Sequence, residues 1–590
     1  TTNNNNNNNN QSEPTTNETT TTSTTKGRYD VNNNNDKLVQ MCQPFYPWPV
    51  PIGAEFIHGV GSCLNDLVMD IQRQQQTDDA GTNNNVNGND HEDETDHWTV
   101  EETFDLGETG DYPSHDPFIT NRITGSSSST TRFLTSRQRK EGVKIFGDGK
   151  QWSASLLGGD DDDTIQSKER FPRLIRRAQQ LWEDLLAISS DTNEKADAVT
   201  PPQPDNTPKQ PKDDMALSAF VESKMKLLES SPEDIHTVQD ILDAVYAKTA
   251  GSSMDRYGVH EASREEQNWD YTECNFRTKG CFADVVAYHL DKIHSINRRT
   301  KNGEGNVQID VITDCPIDTV DSIQLHPTNS LGIQLSSAQA GTTFIADKAI
   351  VSVPLAVLKA DKIKFNGEFA LPTEKRQAIQ KVNMLSGMKA HILLRKKIDI
   401  FARVDAMECT ELLFCPGEIF AQVWLRRDNT SVFITGFVVA NDRETLKHKI
   451  TAGESAEFLF LDQLNRMFLD DVGRSAFLNA GMPTCSAFAL HDWSDDEHIM
   501  GTYSSPSVGA GWGSQTHSEH FPTEATPAIR SSSDAQTPMA ATCRHCLAKP
   551  IQNTIFFAGE HTNIKTCATV QAAMESGNLA AADVIKSLGD

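Results

Sequence analysis

Basic residues are scarce in this sequence of 590 residues: 54 Lys and Arg face 82 Asp and Glu, for a formal net charge of −28. That balance argues against nucleic acid as a partner and is compatible with a cationic substrate. The excess is uneven, because thirteen acids and no Lys or Arg lie between Asp78 and Asp116. The same segment is rich in Asn, Asp, Gly and Thr, so it reads as a solvated acidic loop rather than a steering funnel. Long apolar runs are also missing. None approaches membrane-spanning length and no signal peptide is visible, so no membrane partner is expected and a cytoplasmic location is favoured. The first residue is Thr rather than Met, so the missing signal carries little weight, and the closing Ser587-Leu588-Gly589-Asp590 is not a peroxisomal tripeptide.

Regular cysteine spacing is lacking too. Eleven cysteines without a pattern read as reduced thiols rather than a disulfide framework. Cys543 and Cys546 form a lone CxxC with no second pair nearby, so no metal is expected. A further absence matters more. Dinucleotide-binding domains commonly open with a strand, a GxGxxG turn and a helix, and that unit does not occur. Gly59-Val-Gly61 is followed by Ser62, Cys63 and Leu64, and Gly303-Glu-Gly305 has the same defect in a polar loop, so both are decoys. Residues 1–40, with unbroken Asn from Asn3 to Asn10, are low complexity and cannot form a core. Disordered polar insertions are expected at about 71–132, 190–215 and 514–541.

What the sequence does contain is organised around its end. Ile555, Phe556, Phe557 and Ala558 form a short apolar run closed by Gly559 and Glu560, which reads as a buried strand delivering a carboxylate. From Val570 onward, Ala573, Met574, Gly577, Ala581, Val584, Ile585 and Leu588 recur at three- and four-residue spacing, as one face of an amphipathic helix does. Strand, acidic turn, helix suits a cofactor site, because a helix N-terminus carries partial positive charge and unpaired N–H groups. Upstream, Leu174, Ala178, Leu181, Leu185 and Ile188 make a helical stripe. Ser231-Pro232-Glu233-Asp234 is a capped start for a helix bearing Ile235, Val238, Leu242 and Val245. Ala349 to Val353 reads as a strand that Pro354 ends, because proline has no N–H to donate. Alternating Ala390, Ile392 and Leu394 put Lys389 at the entrance of a strand with one side buried.

FFAGEHT followed by ATVQAAMESG resembles the C-terminal flavin-binding motif of the FAD-dependent amine oxidases, the family of monoamine oxidases, polyamine oxidases and lysine-specific histone demethylases. The resemblance gives Gly559 and Glu560 a place against the ribityl-pyrophosphate of FAD, and Thr569 and Val570 a place at the flavin pyrimidine edge. PIGAEFIHG is similar to the family's second flavin-contacting segment, which assigns Gly53 and Ala54 to the cofactor and His58 to the substrate side. FIADKAIVSVPLAVLK matches the strand and turn that pass behind the cofactor, so Val353 is a cofactor-side residue of structural character. VNMLSGMKAHILL puts Lys389 where the family holds a water near flavin N5; such a lysine would have its charged form disfavoured by desolvation. HDWSDDEHIMGTYSS resembles the family segment of tryptophan, acidic turn and Gly-x-Tyr, giving Trp493 a cofactor role and Tyr503 a substrate-binding one. Thr502 stands where monoamine oxidases attach flavin to a cysteine, which implies non-covalent FAD. Thr569 stands at the place of their second tyrosine, as in polyamine oxidases and lysine demethylases.

The fold implied is α/β, an FAD-binding Rossmann-like domain incomplete at its N-terminus plus a mixed-sheet substrate domain. The FAD domain is expected from about 41–70, 264–367 and 537–590, and the substrate domain from 71–263 and 368–536. The activity implied is oxidation of spermine, spermidine or an acetylated derivative to an imine, then aldehyde and shorter amine, with O2 reduced to hydrogen peroxide. Lys389, His58 and Tyr503 are the expected catalytic set. Two other readings stand beside it: a lysine-specific histone demethylase-like oxidase, and a non-catalytic relic that kept the fold without holding FAD, which the missing glycine-rich unit motivates. No sequence feature sets the oligomeric state, the preferred polyamine or the bond cut.

Overall fold

The computed structural model describes residues 56–58, 63–64, 67, 100–102, 143–153, 169–190, 214–268, 275–278, 282–325, 330–395, 412–427, 431–468, 487–510, 542–564 and 566–589. Gly53, Ala54, the Gly59–Gly61 decoy, residues 1–40 and the 514–541 insertion lie outside these. Of His58 only the backbone is described.

Alternating side chains build the largest element, a seven-stranded sheet in the order Ala487–Asp492, Gly387–Arg395, Ser431–Val439, Gln422–Arg427, Leu412–Phe414, Val143–Gly147 and Lys150–Ser153. All its neighbours run antiparallel except Leu412–Phe414 with Val143–Gly147, which makes the sheet mixed. One face carries Met388, Ala390, Ile392, Leu394, Val423, Leu425, Ile434 and Val438 and is covered by the helix Ala456–Phe468 and by Leu446. The other carries Val143, Ile145, Leu412, Phe414, Trp424, Phe437 and Val439 and is covered by helical residues of 170–266. The strand Gly387–Arg395 is therefore buried on both sides: Lys389, His391 and Leu393 are as enclosed as the apolar residues between them. The expectation of one buried side fails because two helical layers, not one, cover the sheet.

The helical layer follows its sequence signals. Leu174, Ala178, Leu181 and Leu185 are buried along the helix Arg170–Ser190, while the side chain of Ile188 lies outside the described residues. Ser231 caps the helix Pro232–Leu242, its hydroxyl accepting from the Asp234 N–H at 3.1 Å, and Pro232 occupies a first-turn position whose N–H has no helical partner. Val238 and Leu242 on that helix, and Val245 just past it, are buried; Ile235 packs against the same core half-buried.

A second core surrounds the parallel pair Ile555–Phe557 and Ala349–Val351. The latter strand stops at Val351 rather than Val353, and Pro354 instead opens the short helix Leu355–Lys359. The four-stranded sheet Lys364–Phe365, Thr319–Leu325, Ser330–Ser337, Thr342–Ala346 and the helices Thr373–Lys381 and Cys543–Ala548 contribute to this core. A three-stranded sheet joins Phe56–His58 and Val100–Glu102 to the two edges of Asn275–Thr278. Val100–Glu102 falls inside the expected 71–132 insertion, so that segment contributes a paired strand to the fold. The mixed α/β class holds; among the described residues no helix is long and apolar enough to cross a membrane.

Gly436 shows how tightly the sheet is covered. Phe420 and Phe460 stack with ring centroids 4.2 Å apart, and a Cβ on Gly436 would stand 2.5 Å from Phe460 and 2.8 Å from Phe420. Gly436→Ala forces that pair apart, and overpacking of this kind costs about 1–3 kcal/mol. Thermal unfolding of G436A should show a clear drop in melting temperature; an unchanged one would mean that the aromatic pair yields freely.

Candidate functional site

The face of the large sheet turned to the helices between Arg170 and Asn268 places Lys389 among aromatic rings. Lys389 lies directly across from Phe437 on one side and His491 on the other, because pairing in this register sets the three on the same face. Its side chain is 5% exposed, and Nζ lies 5.6 Å from the centroid of Trp424. Trp424 tilts against Phe437 at 5.6 Å, Trp493 meets Phe437 edge-on at 6.2 Å, and Tyr503 lies parallel to Phe437 at 6.3 Å and 11°. An ammonium near aromatic faces is held by their quadrupoles, and the attraction grows as water is removed.

Tyr503 is fixed at both ends. Its hydroxyl donates to the Thr249 carbonyl at 2.6 Å, and its ring lies so close to Gly251 that a Cβ there would approach to 2.8 Å. Burial, with the Glu560 carboxylate adding to it, pushes the phenol well above its ordinary range, so it stays protonated at neutral pH. Position 503 therefore contributes a rigid aromatic surface and no base.

Sequence neighbours of Tyr503 lead to the second half of the site. Ser504–Ser505 pairs antiparallel with Asn383–Met384, three residues before the strand that bears Lys389. The Ser504 N–H donates to Glu560 Oε1 at 3.0 Å and its hydroxyl to Oε2 at 2.5 Å; the Ala568 N–H donates to the same Oε2 at 2.9 Å. Glu560 thus ties the tyrosine segment to the turn that enters the helix Val570–Gly589. Ala568 in that turn has φ +64°, a left-handed conformation that costs a non-glycine residue of the order of 1 kcal/mol and needs a partner to hold it. Thr569 then acts as the helix cap, its hydroxyl accepting from the Ala572 N–H at 3.0 Å and donating to the Thr566 carbonyl at 2.6 Å.

Gly559 sits at φ +137°, where a Cβ would lie 2.5 Å from the His561 ring, so only glycine fits. Its N–H donates to Ser576 Oγ at 2.8 Å, which sets the rotation of the C-terminal helix. The helix accordingly buries Ala572, Ser576 and Ala580 with Gln571, while Ala581, Ile585 and Leu588 of the expected face are exposed. Small residues win the buried side because they let the helix lie close against Phe556 and Ala558.

These features suit a flavin. The amino end of a 20-residue helix favours an electron-rich group, and Ser505, fully buried, has a hydroxyl without a protein partner. The strand Phe56–His58, which continues the Gly53-Ala54 segment, lies in contact with the same helix. Gly53 and Ala54 lie outside the described residues, as does the His58 side chain. Val353 is half-buried against the second core. Phe437, Trp424 and Ser504 escape motif reading, yet the alternation in Val432, Ile434 and Gly436 already puts Phe433, Thr435 and Phe437 on the opposite face.

His561, 2% exposed behind Gly559, has its imidazole lowered from 6.5 to about 4, chiefly because burial disfavours the cation. The unfolded chain therefore binds the proton first as the solution acidifies. The contribution of His561 to stability is complete above pH 6.5 and lost as pH falls through 4, on the order of 3 kcal/mol in all. Denaturant unfolding from pH 7 to pH 4 should show that slope in the wild type and a flatter one in His561→Gln; equal slopes would assign the acid sensitivity to other groups.

The family model described as flavin containing amine oxidoreductase matches residues 158–585. Polyamine oxidase 3 of Oryza sativa subsp. japonica is 26% identical over 246 residues, 42% of this chain and 40% of that relative. Lysine-specific histone demethylase 1 homolog 2 of the same plant is 24% identical over 331 residues, 53% of this chain and 36% of the relative. The chain thus spans about two fifths of the length of the curated relatives it matches. Among solved structures, cyclohexylamine oxidase from Brevibacterium oxydans IH-35A gives a TM-score of 0.47 at 14% identity, over 76% of this chain and 81% of that one. A putrescine oxidase bound to putrescine gives 0.49 at 12%, over 90% and 87%. With the family model matched over well more than half of its length, this protein belongs to the flavin containing amine oxidoreductases.

Proposed function

We propose that this protein is a polyamine oxidase that uses non-covalent FAD. One observation carries the reading: a buried lysine on an aromatic-lined sheet face, joined through Tyr503 and Ser504 to the glutamate that anchors the amino end of the C-terminal helix. When bound, FAD supplies the two-electron acceptor for the amine α C–H and passes the electrons to O2. The chain's own residues orient, desolvate and hold. Gly559, Glu560, Thr569 and Val570 line the cofactor end, with Gly53, Ala54, Val353 and Trp493 as further cofactor contacts. Thr502, whose N–H and hydroxyl both bond the Leu385 carbonyl, offers no thiol for covalent attachment.

The Tyr503 ring, braced on Phe437, offers one aromatic face to the substrate amine, which must be neutral at the nitrogen beside the reacting carbon. His58 is assigned to the substrate side by the family resemblance of the PIGAEFIHG segment. Lys389 orients a water that adds to the imine carbon; the carbinolamine then breaks its C–N bond to give an aldehyde and a shorter amine. The overall balance is amine, O2 and water to aldehyde, amine and hydrogen peroxide. Positioning, rather than a strong base, is what the residues supply. The matches to plant polyamine oxidases support this substrate class. The match to a histone demethylase homologue keeps methylated lysine as a second substrate reading.

The visible spectrum of the purified protein tests both. A flavin band that bleaches on anaerobic addition of spermine is the expected result; bleaching by a dimethyl-lysine peptide and not by spermine would replace polyamine with methylated lysine, and a protein that stays colourless with added FAD would remove the catalytic reading. Lys389→Met should slow flavin reduction or reoxidation by about tenfold or more, within the range of positioned proton-handling groups. Stopped-flow traces of both half-reactions that match the wild type would take Lys389 out of the mechanism.

A further inference from the structure

Arg544 stands between the two cysteines of the lone CxxC, and among the described residues it is one of the largest fully enclosed side chains, 2% exposed on the short helix Cys543–Ala548. Its guanidinium reaches two carboxylates of the helix Val259–Asn268: Nε lies 3.2 Å from Glu261 Oε1, and Nη2 lies 2.8 Å from Glu265 Oε1. Nη1 turns the other way and donates to Ser504 Oγ at 2.6 Å, with the His561 carbonyl further off at 3.5 Å. A buried cation is costly unless it is paired; here Nε donates to Glu261 and Glu265 and Nη1 to Ser504, while Nη2 is met by the Glu265 charge at 2.8 Å without a hydrogen bond. Burial raises the Glu261 carboxyl to about 7, with Arg544 opposing and Glu265 adding to the shift.

Ser504 cannot be spared in this arrangement. Its hydroxyl accepts a hydrogen bond from Arg544 Nη1 and donates one to Glu560 Oε2, so one fully buried oxygen stands between the fixed cation and the carboxylate that holds the Ala568 N–H. The left-handed turn at Ala568, and with it the direction in which the helix Val570–Gly589 begins, is thereby referred to a charge on a different helix. We propose that Arg544 is a positioning residue for flavin binding: it holds Ser504, Ser504 holds Glu560, and Glu560 holds the turn that aims the amino end of the C-terminal helix at the flavin. The proposal rests on the flavin reading given above.

The test is equilibrium titration of the flavin-stripped full chain with FAD, followed by quenching of flavin fluorescence, alongside thermal unfolding of the same flavin-free samples. Ser504→Ala removes the relay and leaves Arg544 paired with both glutamates. Arg544→Lys keeps the charge among the glutamates and loses the forked geometry. Both should raise the Kd for FAD by about tenfold or more, the size expected for losing a charge-assisted hydrogen bond, and by more than any fall in flavin-free melting temperature accounts for. An S504A chain that binds FAD within twofold of wild type would overturn the proposal while leaving the flavin reading intact. So would loss of affinity that merely tracks a lower melting temperature, since that is the mark of general destabilisation. A wild-type chain that quenches no FAD would overturn both.

Discussion

A single carboxylate holds the two halves of the site together. Glu560 receives three donors, from Ser504 twice and from Ala568 once, and none of them is close to it in an extended chain. An ionised carboxylate accepting several N–H and O–H groups is one of the stronger polar arrangements available to a protein interior. Because it bonds both the segment that carries Tyr503 and the turn that precedes Thr569, the aromatic face and the helix end keep their spacing only while it is in place. Gly559 makes this possible by adopting a backbone angle that a side chain would block, so the strand can turn sharply into the glutamate.

Much of this was legible before any coordinates. The strand Ile555–Phe557, the acidic turn, the helix from Val570, the cap at Ser231 and the stripe on Arg170–Ser190 all follow from local chemistry and periodicity. The resemblance of several motifs to the amine oxidases brought Lys389, Tyr503 and Thr569 into consideration, and the matched family agrees with it. Where reading fell short, the missing information was tertiary. The C-terminal helix shows the expected period, but its most buried line is Ala572, Ser576 and Ala580, with Ala573, Met574, Gly577 and Val584 of the expected face half-buried, because Ser576 meets the Gly559 N–H and small side chains allow closer packing than Ile585 or Leu588 could. Likewise the strand with Lys389 looks one-sided, since Lys and His in alternation resemble a solvent face until a second helical layer is found over them. Arg544 was invisible for the opposite reason: between two cysteines and beside a histidine it has no local partner, and both of its glutamates are more than two hundred residues away in sequence.

Charge is used unevenly across the molecule. Nearly half of the acidic excess of the sequence sits in one polar stretch, whereas buried charges such as Arg544 and Arg443 are met by several partners. Lys248, 2% exposed, lies 2.9 Å from Asp442 and 3.4 Å from Asp243, a second arrangement of the kind seen around Arg544. Such pairs contribute little net stability, but removing one member leaves a buried charge uncompensated, so they oppose alternative packings.

The parallel contact between Val143–Gly147 and Leu412–Phe414 bears on how the chain reaches this state. Every other neighbour in the seven-stranded sheet is antiparallel, and the hairpin from Gln422 to Val439 can form as soon as it is synthesised. The parallel seam cannot, because its halves are separated in sequence by the helices between Arg170 and Asn268 and by the part of the second core from Thr319 to Lys381. Closing so long a loop is slow, and until it closes the strand Leu412–Phe414 offers an open edge. On a ribosome, this sheet therefore completes late, and its assembly, rather than that of the helices, governs how long the nascent chain remains exposed to aggregation.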